Sequence, residues 1–435
     1  MQVCMKPMNR DDSTQARVTT LPNGVRIATL AMPQRQTAQV GVFVRTGSAH
    51  ETRADNGISH VLEHMAFKGT QTRDVQRVNL DAERLGAEVN AHTDKDHTAY
   101  HMHGLGPDAP ALVAMLADIV RHATFPADEL EREREVILQE VAEVEDDPVT
   151  VAYHLFDHAC WGLHPAALPV IGQRRHIERF SREDLMRTVA RQYTGANIVL
   201  AAAGAIDAEA IVRAGEAAFG DMPAGTPNLV STPIYEGGIR SKRMDGGSQA
   251  HLVMGFPIPA LADDDMAGDV AAAIIGDGMS SPLLAELREK RGLVYHAACA
   301  ADRFDYGGQL AIEASFAPEK LDDVLREVAL LLQRQAERVD AVDLERARNQ
   351  IVVRLLRNAE QPSRCIEDAA LDLFTVGRLR SVDERVAQVR AVTADRVHAA
   401  MRQMQAAGAA VAMTGKLPRQ AAERARGALG GLVRR

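Results

Sequence analysis

The sequence predicts two similar α+β domains, each a mostly antiparallel β-sheet with helices packed on one face. Three observations carry this reading. A strand followed by a proline and an amphipathic helix occurs twice, as TAYHMHGLGPDAPALVAMLADIV and as GQLAIEASFAPEKLDDVLREVAL. Supersecondary order that recurs along a chain marks repeated structural units. Between the two copies, residues 222–233 hold Pro223, Pro227 and Pro233 with Gly and Ser among them, the composition of a linker. The 435 residues, 46% hydrophobic, also exceed what one typical core accommodates and suit two. The expected division is a domain over 1–221, a linker over 222–236 and a domain over 237–435.

The elements follow in order from local patterns. Strand-like runs lie at 18–30, turning at Asn23-Gly24, and at 38–46. Helical spacing covers 57–68 and 75–85, and a hairpin pattern joins 88–93 to 97–105 through Asp94-Lys95. Helices then fill 109–122 and 127–145, and a short buried strand covers 197–203. Alternation and the 3.6-residue period separate these two classes. Past the linker, 250–256 resembles the strand at 38–45, and a helix at 281–291 takes the place of the one at 57–68.

Composition excludes several functions. Net charge is −9, with no basic stripe, so no nucleic-acid partner is expected. Cys4, Cys160, Cys299 and Cys365 are scattered without a CxxC pair and read as reduced thiols. The start, MQVCMKPMNRDDSTQ, lacks an apolar core and carries Asp11 and Asp12. No apolar run approaches the roughly 18 residues of a spanning helix. The expectation is a cytoplasmic protein that does not enter a membrane. Arg424, Arg426, Arg434 and Arg435 read as a solvated tail.

Chemistry concentrates in His60-Val61-Leu62-Glu63-His64, an HxxEH motif. On a helix, His60 and His64 stand one turn apart on nearly one face, and both imidazoles can reach one zinc ion. Glu63 lies beside that face, able to take a proton from a water on the metal as it attacks a carbonyl. The 127–145 helix offers a third ligand. Leu130, Glu133, Ile137, Glu140 and Val144 recur at steps of 3 and 4, marking one half-buried stripe. Its two carboxylates need a metal or an ion pair, and the spacing alone leaves both open. His92, His97, His101 and His103 could form a second metal site, since hairpin alternation sets His97, His101 and His103 on one side, but they read foremost as ordinary surface or core histidines.

HVLEHMAFKGT followed by EREREVILQEV closely resembles the pitrilysin-type zinc peptidases, the inverzincins, and within them the β-type branch of the mitochondrial processing peptidases and its bacterial relatives. The resemblance spans nearly the whole chain. It implies a third zinc ligand 76 residues after the second histidine (140 − 64 = 76), which is Glu140. It also implies a supporting carboxylate seven residues earlier, Glu133. Glu88–Thr93 resembles the family's substrate-holding edge strand, which assigns Asn90 and Ala91 to the peptide backbone. LREKRGLVY resembles the segment bearing the family's Arg/Tyr pair, here Arg288 and Tyr295, implied as oxyanion donors. HPAALPVIG, at 164–172, departs from the family's LGR-like segment. The implied activity is a zinc endopeptidase with one zinc per chain, acting on oligopeptides or unfolded segments in an enclosed chamber. The implied assembly is a homodimer. A heterodimer with a zinc-less homologue, or a non-catalytic subunit, are the alternatives.

Overall fold

A computed structural model describes residues 15–433. The expectations for the N-terminal segment, Cys4, Arg434 and Arg435 lie outside the described residues. Two compact units emerge. The first comprises residues through Leu138, Val170–Leu229 and Asn358–Arg380, and the second Gln139–Pro169, Val230–Arg357 and Ser381–Arg435. Residues 223–237 carry neither helix nor strand.

The first unit is built on six strands: β1 (Gln15–Thr20), β2 (Arg26–Ala31), β3 (Thr37–Val44), β4 (Glu88–Thr93), β5 (Thr98–Leu105) and β6 (Ile198–Gly204). Their order is β1-β2-β6-β3-β5-β4. Every pairing is antiparallel except β2 with β6, so the sheet is mixed. Helices α1 (Ile58–Ala66), α2 (Val75–Arg84), α3 (Ala109–Arg121) and α4 (Ala127–Asp146) follow the predicted spans closely. Helix α3 packs on β3 and β5, and α1 on β4 and β5. The opposite face is filled from far along the chain, by the helix Pro362–Thr375. Its Ile366, Ala370 and Leu373 form one core with Phe43, Val199 and Ala201. Helices thus lie on both faces. The signal was in β6, whose IVLAAAG run is buried throughout, since a strand covered on both sides reads as continuously apolar instead of alternating.

The second unit has five strands: β7 (Gly238–Arg243), β8 (Ala250–Ile258), β9 (Val294–Arg303), β10 (Gly308–Phe316) and β11 (Ala410–Gly415), ordered β7-β11-β8-β10-β9. Only β7 with β11 is parallel. Leu252, Met254 and Phe256 of β8 join the main core with Val270 and Ile274 of the helix Ala267–Gly276. Helix α5 (Pro148–Trp161) packs on β8 and β11. A Cβ at Gly255 would come within 2.8 Å of the Phe156 ring, so this glycine is the seat for α5. Cys160, Cys299 and Cys365 are buried thiols. No described helix is long and apolar enough to cross a membrane.

Candidate metal centre

The centre begins with how α1 is held at its start. Gly57 precedes the helix at φ +101°, a conformation that favours glycine. A Cβ there would also come within 2.8 Å of Gly172 Cα, so the end of the divergent 164–172 loop seals this corner. Glu51 caps the helix. One carboxylate oxygen accepts from Asn56 Nδ2 at 2.9 Å and Gly57 N at 2.8 Å, and the other from Ser59 N at 2.8 Å. Glu51 is only 3% exposed. Burial pushes its pKa up against the opposing pull of these donors. A carboxylate at a helix N-terminus satisfies otherwise unpaired N–H groups and favours the local dipole.

One turn on, the His60 and His64 rings stand with centroids 4.6 Å apart, edge to face. Burial, then the neighbouring His64, lowers the His60 pKa to about 4, which keeps His60 a neutral imidazole, the metal-binding form. Helix α4 presents the third donor. It is one continuous helix, although the division between the units falls within it after Leu138, so Glu140 is carried on the same rod as Glu133. Donor atoms of His60, His64 and Glu140 all lie within 4.8 Å of one another. Glu133 is not among them. Its Oε1 sits 2.9 Å from His64 Nδ1 and its Oε2 2.5 Å from Lys68 Nζ. Burial opposes ionisation of Glu133, but the His64 and Lys68 contacts outweigh it and hold its pKa below the usual range. A carboxylate on Nδ1 fixes the tautomer and leaves Nε2 of His64 for a metal. Two imidazoles and a carboxylate fit a zinc site that retains an open position.

Glu63 lies beside these donors. Its Oε2 accepts from Thr93 Oγ1 at 2.6 Å, which ties α1 to the last residue of β4. Strand β4 is the sheet edge, paired on one side only, to β5. Asn90 is exposed on it and Ala91 half-buried, with Asn90 Oδ1 accepting from Ala91 N at 2.8 Å. The structure thus brings together His60, His64, Glu140, Glu63 and Glu133, with Asn90 and Ala91 on the adjacent edge strand.

Arg288 and Tyr295 belong to the second unit. The predicted 281–291 helix is a short turn, Pro282–Leu284, that widens into a π-helix over Ala285–Lys290, a form frequent at functional positions. Arg288 is exposed there, 3.9 Å from Glu289. Ser315 pairs with His296 and Phe316 with Val294, so Tyr295 is the extra residue of a β-bulge. It is 63% exposed, and bulges re-aim side chains at such places.

Sequence reasoning missed Glu51, Lys68 and Thr93. Glu51 stands eight residues before Ser59, outside any capping-box spacing. Lys68, four residues after His64, could have been found, because that spacing puts it on the same helix face.

Profiles of known families match two stretches: "Insulinase (Peptidase family M16)" over residues 26–174 and "Peptidase M16 inactive domain" over residues 179–351. An uncharacterized zinc protease of Mycobacterium tuberculosis is 33% identical over 395 residues, covering 89% of this chain and 90% of the relative. An uncharacterized zinc protease of Bacillus subtilis, YmxG, is 28% identical, covering 88% and 94%. Among solved structures, a protease from Helicobacter pylori superposes with a TM-score of 0.85 at 20% identity, covering 93% of this chain and all of that one. A peptidase M16 inactive domain from Pseudomonas fluorescens gives 0.83, also at 20% identity. The α+β fold, the HxxEH helix and relatives matched over nearly their full length lead to one assignment: the chain belongs to peptidase family M16.

Proposed function

We propose that this chain is a zinc-dependent endopeptidase that hydrolyses oligopeptides or unfolded polypeptide segments, with one zinc held by His60, His64 and Glu140. The observation that supports this most is the convergence of those three donors beside Glu63, itself anchored to the edge strand. Zinc in such a site lowers the pKa of water and polarises a carbonyl. Glu63 receives the proton of the attacking water and delivers it to the departing amine. Its Oε2 is occupied by Thr93, so Oε1 is the working oxygen. Glu133 positions His64 and does not exchange protons with substrate. The substrate backbone adds to β4 past Asn90 and Ala91, a mode that reads extended chains with little regard to side chain. Arg288 and Tyr295 donate to the developing oxyanion from a second copy of the chain, in a homodimer that encloses the substrate. The segments HVLEHMAFKGT and EREREVILQEV, which resemble the β-type processing-peptidase branch, support this reading.

Glu63→Gln tests the reading. The amide keeps the shape but cannot take the proton, so zinc content stays at the wild-type level while peptide turnover falls by about 10²–10⁴-fold. Glu140→Ala, in contrast, loses the zinc of this centre. Near-normal turnover by Glu63→Gln would remove this residue from the mechanism.

A further inference from the structure

The β4–β5 hairpin carries a second cluster, on the face away from α1. His92 and Thr93 are successive residues of β4, so they point to opposite faces. Thr93 meets Glu63, and His92 meets Glu367 of the Pro362–Thr375 helix. His92 Nε2 lies 3.4 Å from Glu367 Oε1, and His97 Nε2 lies 3.8 Å from the same oxygen. One donor atom from each of the three residues falls within 4.8 Å of the others. Donors around a tetrahedral ion with bonds of about 2.0–2.1 Å stand roughly 3.4 Å apart. Two edges of the triangle are therefore near the bound spacing already. The third closes by a small movement of His92, whose side chain is 39% exposed.

His97 supplies an independent observation. It is 2% exposed, yet its Nε2 is buried with no hydrogen-bond partner, an arrangement that costs about 1–3 kcal/mol. Its other nitrogen, Nδ1, sits 2.7 Å from Asp96 Oδ1. In the neutral ring a carboxylate on Nδ1 keeps the proton there and turns the Nε2 lone pair toward the cluster, as the outer partners of metal-bound histidines do. Arg364 approaches the other oxygen of Glu367, Oε2, at 3.6 Å, leaving Oε1 for the histidines. His101 stands beside the cluster, its ring centroid 5.8 Å from that of His92, with Nδ1 engaged by Gln39 Nε2 at 3.2 Å.

We infer that His92, His97 and Glu367 form a second divalent-cation site, of the zinc class, open to solvent on the His92 side. Two imidazoles and one carboxylate suit zinc and neighbouring transition ions, not calcium or magnesium, which take oxygen donors. Filling the site ties the end of the edge strand to a helix more than 250 residues further along the chain, directly behind the Thr93–Glu63 anchor.

The first centre must be removed to read the second. In a His60→Ala/His64→Ala double variant of the full chain, zinc titration followed by elemental analysis is expected to retain about one equivalent per chain, against about two in the wild type. Glu367→Gln or His92→Ala, both partly exposed positions, should each abolish the retained equivalent in that background. Asp96→Asn should weaken it by about 10–100-fold. Cobalt substituted into the double variant should give the intense visible bands of a four-coordinate ion. If the wild type binds a single equivalent that the double variant loses, this inference fails and the proposed catalytic centre stands. If the single equivalent survives the double variant and disappears with Glu367→Gln, the catalytic assignment fails and this one stands. A retained equivalent indifferent to both Glu367→Gln and His92→Ala also overturns it.

Discussion

Glu133→Gln separates a positioning role from a catalytic one. The carboxylate serves two cationic or donor groups at once, His64 Nδ1 at 2.9 Å and Lys68 Nζ at 2.5 Å. Glutamine has one acceptor oxygen. If it faces His64, its amino group meets the Lys68 ammonium, and if it turns over, two N–H donors face each other at the imidazole. Either arrangement loosens the Nδ1–H contact that orients His64. Loss of such an outer partner lowers metal affinity by about 10–100-fold, or roughly 1.4–2.8 kcal/mol at 1.4 kcal/mol per tenfold. Competition for zinc between the metal-free variant and a chromophoric chelator measures this directly, with turnover assayed at saturating zinc. Once zinc is restored, turnover should approach that of the wild type. Wild-type zinc affinity combined with crippled turnover would refute the positioning argument and put Glu133 in the proton-transfer path.

Further perturbations address other links. Glu51→Ala leaves the buried N–H groups of Gly57 and Ser59 without their acceptor and should cost about 1–3 kcal/mol in urea unfolding, with weaker zinc binding because α1 loosens. His50 should make the metal-free protein acid-sensitive. Burial, only partly opposed by Asp96, lowers its pKa from 6.5 to about 4, so the unfolded chain takes up the proton first. The stabilisation is whole above pH 6.5 and is lost as pH falls toward 4, by at most about 3 kcal/mol (2.5 × 1.36). His50→Leu should flatten that slope, and an unchanged slope would exonerate His50. Mixing Glu63→Gln and Tyr295→Phe chains under conditions of subunit exchange should restore roughly one quarter of wild-type activity, since half of random dimers are mixed and each has one intact site of two. No recovery, with exchange confirmed, would mean that Tyr295 does not complete a neighbour's site.

Local pattern carried much of the fold. The alternation of 88–105, the turn at Asp94-Lys95 and the 3-and-4 stripe of α4 each describe contacts made within a few residues, and each matches an observed element. The grouping of His60, His64 and Glu140 was legible only in part for a related reason: the two histidines share one helix turn, whereas the stripe of α4 left Glu133 and Glu140 open and the family resemblance singled out Glu140. What escaped is non-local. The helix Pro362–Thr375 reaches the first sheet from the far half of the chain, and nothing in its own spacing names that destination. Glu367 is invisible as a partner of His92 and His97 for the same reason, so the histidines read as ordinary ones. The π-helix and the bulge at Tyr295 are single-residue departures from regular geometry, which averaging over a period suppresses.

The edge strand β4 has a consequence for proline. Its six residues turn alternate N–H and C=O groups outward, so a peptide laid along it spans roughly 20 Å at 3.3 Å per residue and donates from every second residue only. Proline has no N–H to donate and fits an added strand only where that group would face away. Thr93 fixes the phase of this alternation, because it joins the strand to Glu63. Prolines in cleaved peptides should therefore fall on one parity relative to the scissile bond, a periodic exclusion set by the backbone and not by any side-chain pocket.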